Sequence, residues 1–127
     1  MRYALYITLL FVAAVLIASP VSAADGRNYR FDNNTRYEVV EARALYIYTA
    51  DTLVRKGALE KAYFFSVGPN GDIAPLTILN LKKTFPDNHA FHDLLDMAFK
   101  RDSDLTKYDE FHKMFKVNRL LDASTER

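Results

Sequence analysis

Between Ala4 and Ala18 the chain carries no charge and almost only apolar side chains, and this run decides how much sequence is left to fold on its own. Arg2 precedes it; Ser19, Pro20 and the triplet Val21-Ser22-Ala23 follow. A short basic start, an apolar stretch of about 15 residues and small residues two positions apart are the parts of a secretory signal peptide. Cleavage is expected after Ala23, with the position after Ala24 nearly as good. The competing reading is an uncleaved membrane anchor, for which a helix needs roughly 20 apolar residues. Tyr3 to Val21 approaches that length only if Ser19 and Pro20 are counted. Cleavage leaves a periplasmic or secreted domain of about 104 residues, enough for one domain and too few for two.

The rest of the composition bears on what such a domain can do. Loss of Arg2 with the signal leaves sixteen Lys and Arg against sixteen Asp and Glu, with no long run of one sign. Nucleic acid and anionic membrane surfaces both call for a basic excess or patch, so neither is an expected partner once the signal is cleaved. Cysteine is absent, which removes disulfides, thiol catalysis and thiolate metal sites at once. A lipid anchor of the bacterial kind goes with them. A disulfide-free exported domain fits a bacterial periplasm best, and its stability must come from its core. Fourteen of the seventeen aromatics remain after the signal is removed, and each buried one takes roughly 150–250 Å² out of water.

The pattern predicts a mainly α fold: a single small domain of four or five short helices over residues 35–122. Residues 24–34 read as a flexible lead-in and residues 123–127 as a frayed end. Thr35-Arg36-Tyr37-Glu38 has the form of a capping box, and a helix is expected from there to about Lys56, stopped by Gly57. Tyr37, Val40, Ala44, Ile47, Tyr48 and Val54 would share one face. Val39, Tyr46 and Leu53 would lie opposite, so this helix is apolar on two sides. Residues 58–67 read as helix, or else as a strand of one short β-hairpin around residues 62–76. Gly68 to Asp72 is a turn in either case, and Pro75 would confine the second strand to an edge. Thr77 caps a short helix ending before Pro86. Asp87 or Asn88 caps a longer one to about Arg101, with Phe91, Leu94, Leu95, Ala98 and Phe99 facing inward. Asp104 is expected to cap a last helix with Leu105, Tyr108, Phe111 and Phe115 in its apolar stripe.

Tyr46 to Ala62 resembles the helix–turn–helix of a tetratricopeptide repeat: an aromatic early in the first helix, small Ala50 after it, and a Lys56-to-Ala62 turn bringing Ala62 inward. The likeness departs at Ser66 and Pro69, which stand where that repeat wants a large apolar and a small helical residue. It implies a helical hairpin in this stretch.

Two constellations are candidates for function. Tyr46, Leu53 and Phe64 are apolar side chains with no obvious single core to share, and surplus apolar surface on a small domain commonly marks a partner. His89 and His92, at i and i+3, share a helix side bordered by Asp93 and Asp96. With His112 from a neighbouring helix they would form a zinc-type ligand set. The plainer reading makes His89–Asp93 and Asp96–Lys100 surface i, i+4 pairs and gives His112 a structural or interfacial role oriented by Asp109. Ser66, Ser103 and Ser124 sit in no nucleophile elbow, and no glycine-rich phosphate loop is present. The sequence therefore points to a non-enzymatic, exported interaction domain for a protein partner or small apolar ligand, with no cofactor expected. A homo-oligomer is compatible with it, and an inhibitor or immunity protein against an exported toxin is a subcase. A periplasmic metal-binding protein, with zinc held by the His/Asp cluster, is the alternative.

Overall fold

The computed structural model describes residues 28–125; the expected signal peptide and residues 126–127 lie outside them. The expectation of a mainly α fold is overturned. Residues 28–75 form a five-stranded antiparallel sheet, and the helices of the described residues follow it, from Ile78 onward.

The strands are β1 (Asn28–Asp32), β2 (Thr35–Ala42), β3 (Leu45–Arg55), β4 (Ala58–Val67) and β5 (Ala74–Pro75), and they meander in sequence order. What reads as one helix apolar on two sides is a pair of strands with period two. Leu45 and Ile47 point one way and Tyr46 and Tyr48 the other, as alternation along a strand requires. The aromatic and β-branched content of Thr35 to Val54 favours that outcome, because such side chains pack well on a pleated surface. The residues read as a capping box open β2. Asn33 and Asn34 both take left-handed backbone (φ 49° and 63°), the two-residue turn that matches strand twist. The lead-in expected to be flexible thus contains β1, with Asp32 paired to Thr35 and Asn28 to Val39. Gly57 (φ 79°) turns β3 into β4, so the segment likened to a tetratricopeptide hairpin is a β-hairpin with Leu53 opposite Leu59. β5 pairs with Phe64 and Phe65 at the sheet edge, where Pro75 costs no ladder bond.

One irregularity decides how the sheet meets the helices. The β2–β3 register shifts between Val39 and Glu41, so that Val39 faces Tyr48 but Glu41 faces Ile47. The bulge turns the Glu41 carboxylate onto the same side as Leu45 and Ile47, against strict alternation. There it accepts hydrogen bonds from the Phe115 amide (3.0 Å) and Asn118 Nδ2 (2.7 Å).

The helical layer covers that side. Thr77 Oγ1 accepts the Asn80 amide at the start of α1 (Ile78–Thr84), and Asn88 Oδ1 accepts the Phe91 amide at the start of α2 (His89–Ala98). The last helix expected from Asp104 is broken up. A 3-10 turn spans Asp102–Thr106, a two-stranded ribbon of β6 (Tyr108–Asp109) and β7 (Met114–Phe115) follows, and only then α3 (Lys116–Thr125). Lys113, with left-handed backbone at φ 56°, lies in the ribbon's turn. α3 runs on past Ala123: Ser124 donates to the Leu121 carbonyl (2.7 Å) and accepts from Asn88 Nδ2 (3.0 Å). Leu45, Ile47 and Phe65 of the sheet pack with Leu81, Phe91 and Leu95 of α1 and α2, and with Val117, Leu120 and Leu121 of α3. No helix among the described residues is long and apolar enough to cross a membrane.

Candidate functional site

Among the described residues no helix covers the other side of the sheet, and alternation sends Arg30, Tyr37, Val39, Tyr46, Tyr48, Phe64 and Ser66 to it. Tyr37 meets Tyr48 and Phe64 edge to face, and Tyr46 is tilted against Tyr48. Tyr37 lies 5.9 Å from Tyr48 and 5.2 Å from Phe64 between ring centroids, and Tyr46 lies 6.4 Å from Tyr48. Tyr48 and Ser66 are fully buried at the centre.

A hydrogen-bond chain with one consistent proton assignment runs through this centre. Ser66 Oγ donates to the Gly68 carbonyl at 2.7 Å, which can only accept. Tyr48 OH therefore donates to Ser66 Oγ, also at 2.7 Å. Arg30 Nη1 donates to both hydroxyl oxygens, at 3.1 and 3.3 Å. Its guanidinium carbon sits 5.9 Å from the centroid of the Tyr48 ring, within reach of a cation–π attraction. Among the described residues no carboxylate forms an ion pair with Arg30. Beside it opens a cavity of about 290 Å³, lined by Asn28, Tyr29, Arg30, Val39, Ala42, Tyr46, Tyr48 and Pro69. Its walls are largely aromatic and aliphatic and its one cation is held in place: a shape for an apolar body carrying a negative group. As a nucleophile Ser66 is poorly placed: among the described residues it has no base beside it, and it is fully buried.

Of the three partner-binding candidates, Tyr46 and Phe64 share this face. Leu53 does not. It stands on the opposite side of β3 near the hairpin tip, paired with Leu59, and both are 67% exposed. Arg30, Tyr48 and Ser66 are missed when residues 35–56 are read with a helical period. The alternations Tyr46-Ile47-Tyr48 and Phe64-Phe65-Ser66 are the signal that finds Tyr48 and Ser66, and Arg30 follows from the pairing of β1 with β2.

The histidines do not converge. His89 and His92 do share a side of α2, with ring centroids 5.8 Å apart. However, His92 Nε2 lies 2.7 Å from the Phe85 carbonyl and so donates to it. Asp96 is held by Lys82 of α1 through both oxygens (2.7 and 2.9 Å), not by His92 or Lys100. Asp93 is exposed. His112 is not in the apolar stripe of a helix; it lies in the β6–β7 turn with its ring half-exposed. Among the described residues no three His, Asp or Glu side chains gather as a metal-ligand set.

Asp109 does orient His112. Its carboxylate accepts the His112 amide (3.0 Å) and His112 Nδ1 (2.9 Å). The amide bond is the first cause, and the ring with its charge a further one, holding the Asp109 carboxyl below the usual carboxylate range. A lowered carboxylate value means stability that is fully present above the ordinary pKa and is lost as pH falls through the folded-state value. Asp109→Asn is therefore expected to flatten the acid limb of a plot of urea midpoint against pH, below about pH 4, and to leave the neutral plateau's shape unchanged. An acid limb identical to that of the parent overturns this assignment.

No family model matches the chain, and no curated protein and no solved structure matches it.

Proposed function

We propose that the mature chain is an exported, non-enzymatic binding protein. It captures a small amphipathic ligand on the helix-free face of its sheet. The apolar body lies against Tyr46, Val39 and Ala42, and an anionic group meets Arg30. The observation that carries this reading is the placement of Arg30. Its charge is held by two buried hydroxyls at the wall of an aromatic cavity, with no carboxylate among the described residues to neutralise it. Pre-ordering by Tyr48 and Ser66 removes part of the entropy that ligand binding would otherwise cost.

An anionic aromatic probe, anilinonaphthalene sulfonate, tests it by fluorescence titration. The native chain is expected to bind in a saturable way. Arg30→Gln should weaken binding about tenfold, the value of one charge-assisted hydrogen bond of roughly 1.4 kcal/mol. Tyr46→Ala should weaken it by a similar factor, and Leu53→Ser on the opposite side should leave it unchanged. Equal affinity in the native chain and Arg30→Gln removes the reading.

Export belongs to the same proposal and rests on the run from Ala4 to Ala18 and the Val21-Ser22-Ala23 triplet. The intact mass of protein recovered from outside the cytoplasm is expected to begin at Ala24. A mass that includes Arg2 counts against cleavage.

A further inference from the structure

A second cavity, of about 240 Å³, lies at the opposite end of the chain from Arg30, between the β6–β7 turn and α3. His112, Met114, Arg119, Asp122 and Ala123 line it. We infer that this cavity binds a small zwitterion, a free α-amino acid with a short neutral side chain. Its carboxylate would be taken by Arg119, and its ammonium by Asp122 and His112 Nε2.

Geometry places the groups that would meet it. The Asp109 carboxylate only accepts, so the 2.9 Å contact places a proton on His112 Nδ1 and leaves Nε2 as the nitrogen free to meet a ligand. The same carboxylate anchors Arg119, whose Nε lies 2.8 Å from Asp109 Oδ2. That contact is an ion pair without hydrogen-bond alignment, and Arg119 Nε, although buried, has no hydrogen-bond partner among the described residues. Arg119 is thus positioned by charge while its donors stay unspent. Asp122 stands one helical turn further along α3, three residues on, and its carboxylate enters no ion pair among the described residues. The Met114 side chain and the Ala123 methyl complete an apolar wall.

Charge then selects the ligand. A simple anion would suit Arg119 but would meet the Asp122 carboxylate. A simple cation, a metal ion included, would meet Arg119. A molecule carrying both signs about one carbon apart offers a carboxylate to the Arg119 guanidinium, which its ion pair with Asp109 leaves without hydrogen-bond alignment, and an ammonium to Asp122. The volume and the Met114–Ala123 wall suit a hydrogen, methyl or isopropyl side chain.

The test uses the full mature chain and follows its amide and imidazole NMR signals at pH 7. Titration is with glycine, L-alanine and L-valine, and separately with acetate and methylammonium. At least one amino acid is expected to give saturable shifts at the His112, Met114 and Ala123 signals, binding at least tenfold more tightly than either acetate or methylammonium. Arg119→Gln and Asp122→Asn are each expected to weaken it tenfold or more, with dispersed spectra reporting that both variants remain folded. Asp122→Asn keeps the test decisive if Arg119→Gln fails to fold, because it keeps the side-chain volume and the Asp122 carboxylate enters no ion pair among the described residues. If acetate binds as well as the amino acids, if none of the three binds, or if binding survives Asp122→Asn, the inference is overturned.

Discussion

Asn118→Ala is expected to destabilise the domain by about 3 kcal/mol, because it strands several buried polar groups at once. Asn118 lies on α3, is fully buried, and behaves as a short piece of strand. Its Oδ1 accepts the Leu45 amide at 3.0 Å, and its Nδ2 donates to the Leu45 carbonyl at 3.0 Å and to Glu41 at 2.7 Å. One side-chain amide thus closes the start of β3 and tethers the helix to the bulged strand. Alanine removes every one of these bonds, leaving a buried amide without a partner, part of a carboxylate unmet, and the Leu45 carbonyl with only its 3.3 Å bond from the Arg43 amide. Each such group costs roughly 1–3 kcal/mol, more when charged. For a domain of this size that corresponds to a fall in melting temperature of about 12–24 °C. Asn118→Asp is a sharper variant, since it keeps the volume but sets a second negative charge against Glu41. It should be at least as destabilising at neutral pH and should recover as the pH is lowered enough to protonate one of the pair. Thermal melts and urea titrations at pH 7 and pH 4 measure both. An Asn118→Ala protein that melts within about 3 °C of the parent, less than 1 kcal/mol on the same scale, would mean that water or relaxation replaces the lost bonds.

The helices α1 and α2 were readable from sequence, whereas the sheet before them and the segment after Arg101 were not, and the difference has a physical origin. Thr77 and Asn88 cap helices because their side-chain oxygens meet free amides within three residues, a relation local enough to read along the chain. Phe91, Leu95 and Phe99 all face the core as their spacing predicts. Residues 35–56 satisfy both periods: the same Tyr, Val and Ile side chains populate a helical face and an alternating strand. Their β-branched and aromatic content and the Asn33-Asn34 pair were the evidence for strand. The capping-box form of Thr35 to Glu38 and the length of the apolar pattern pulled the other way, and non-local pairing with residues 58–67 decided the outcome. The site follows the same division. Tyr46 and Phe64 stood out as surplus aromatics under either period. Arg30 could be attached to them only once β1 had been placed beside β2 and alternation had turned it toward Tyr48. Glu41 and Asn118 were beyond reach, because a bulge and a contact 77 residues apart create their roles. Asp109 was legible as the partner of His112, since three residues separate them, although the helix expected to carry both gave way to a turn.

Phe91→Ala is expected to cost about 3–5 kcal/mol, the usual range for emptying a fully buried aromatic position. Phe91 is wholly buried on α2, with its ring edge-on to Phe85 at 5.5 Å between centroids. Phe85 follows the last residue of α1, and its carbonyl accepts His92 Nε2. The Phe91 ring and the His92 bond therefore fasten the same short connection from two sides, and Phe91 also closes the first turn of α2 through the Asn88 cap. Truncation leaves a cavity beneath the helical layer, which lies across the sheet from Arg30 and Tyr46. Stability and ligand binding should consequently separate. At a temperature where Phe91→Ala is still folded, its affinity for the anionic aromatic probe is expected to match that of the parent, whereas Arg30→Gln reverses the pattern with near-parental melting and weakened binding. If Phe91→Ala loses affinity in proportion to its loss of stability, the two faces of the sheet are coupled, and the helix-free face is not an independent site. Phe91→Leu should recover most of the stability, because an apolar side chain of similar reach refills the space between α1 and α2.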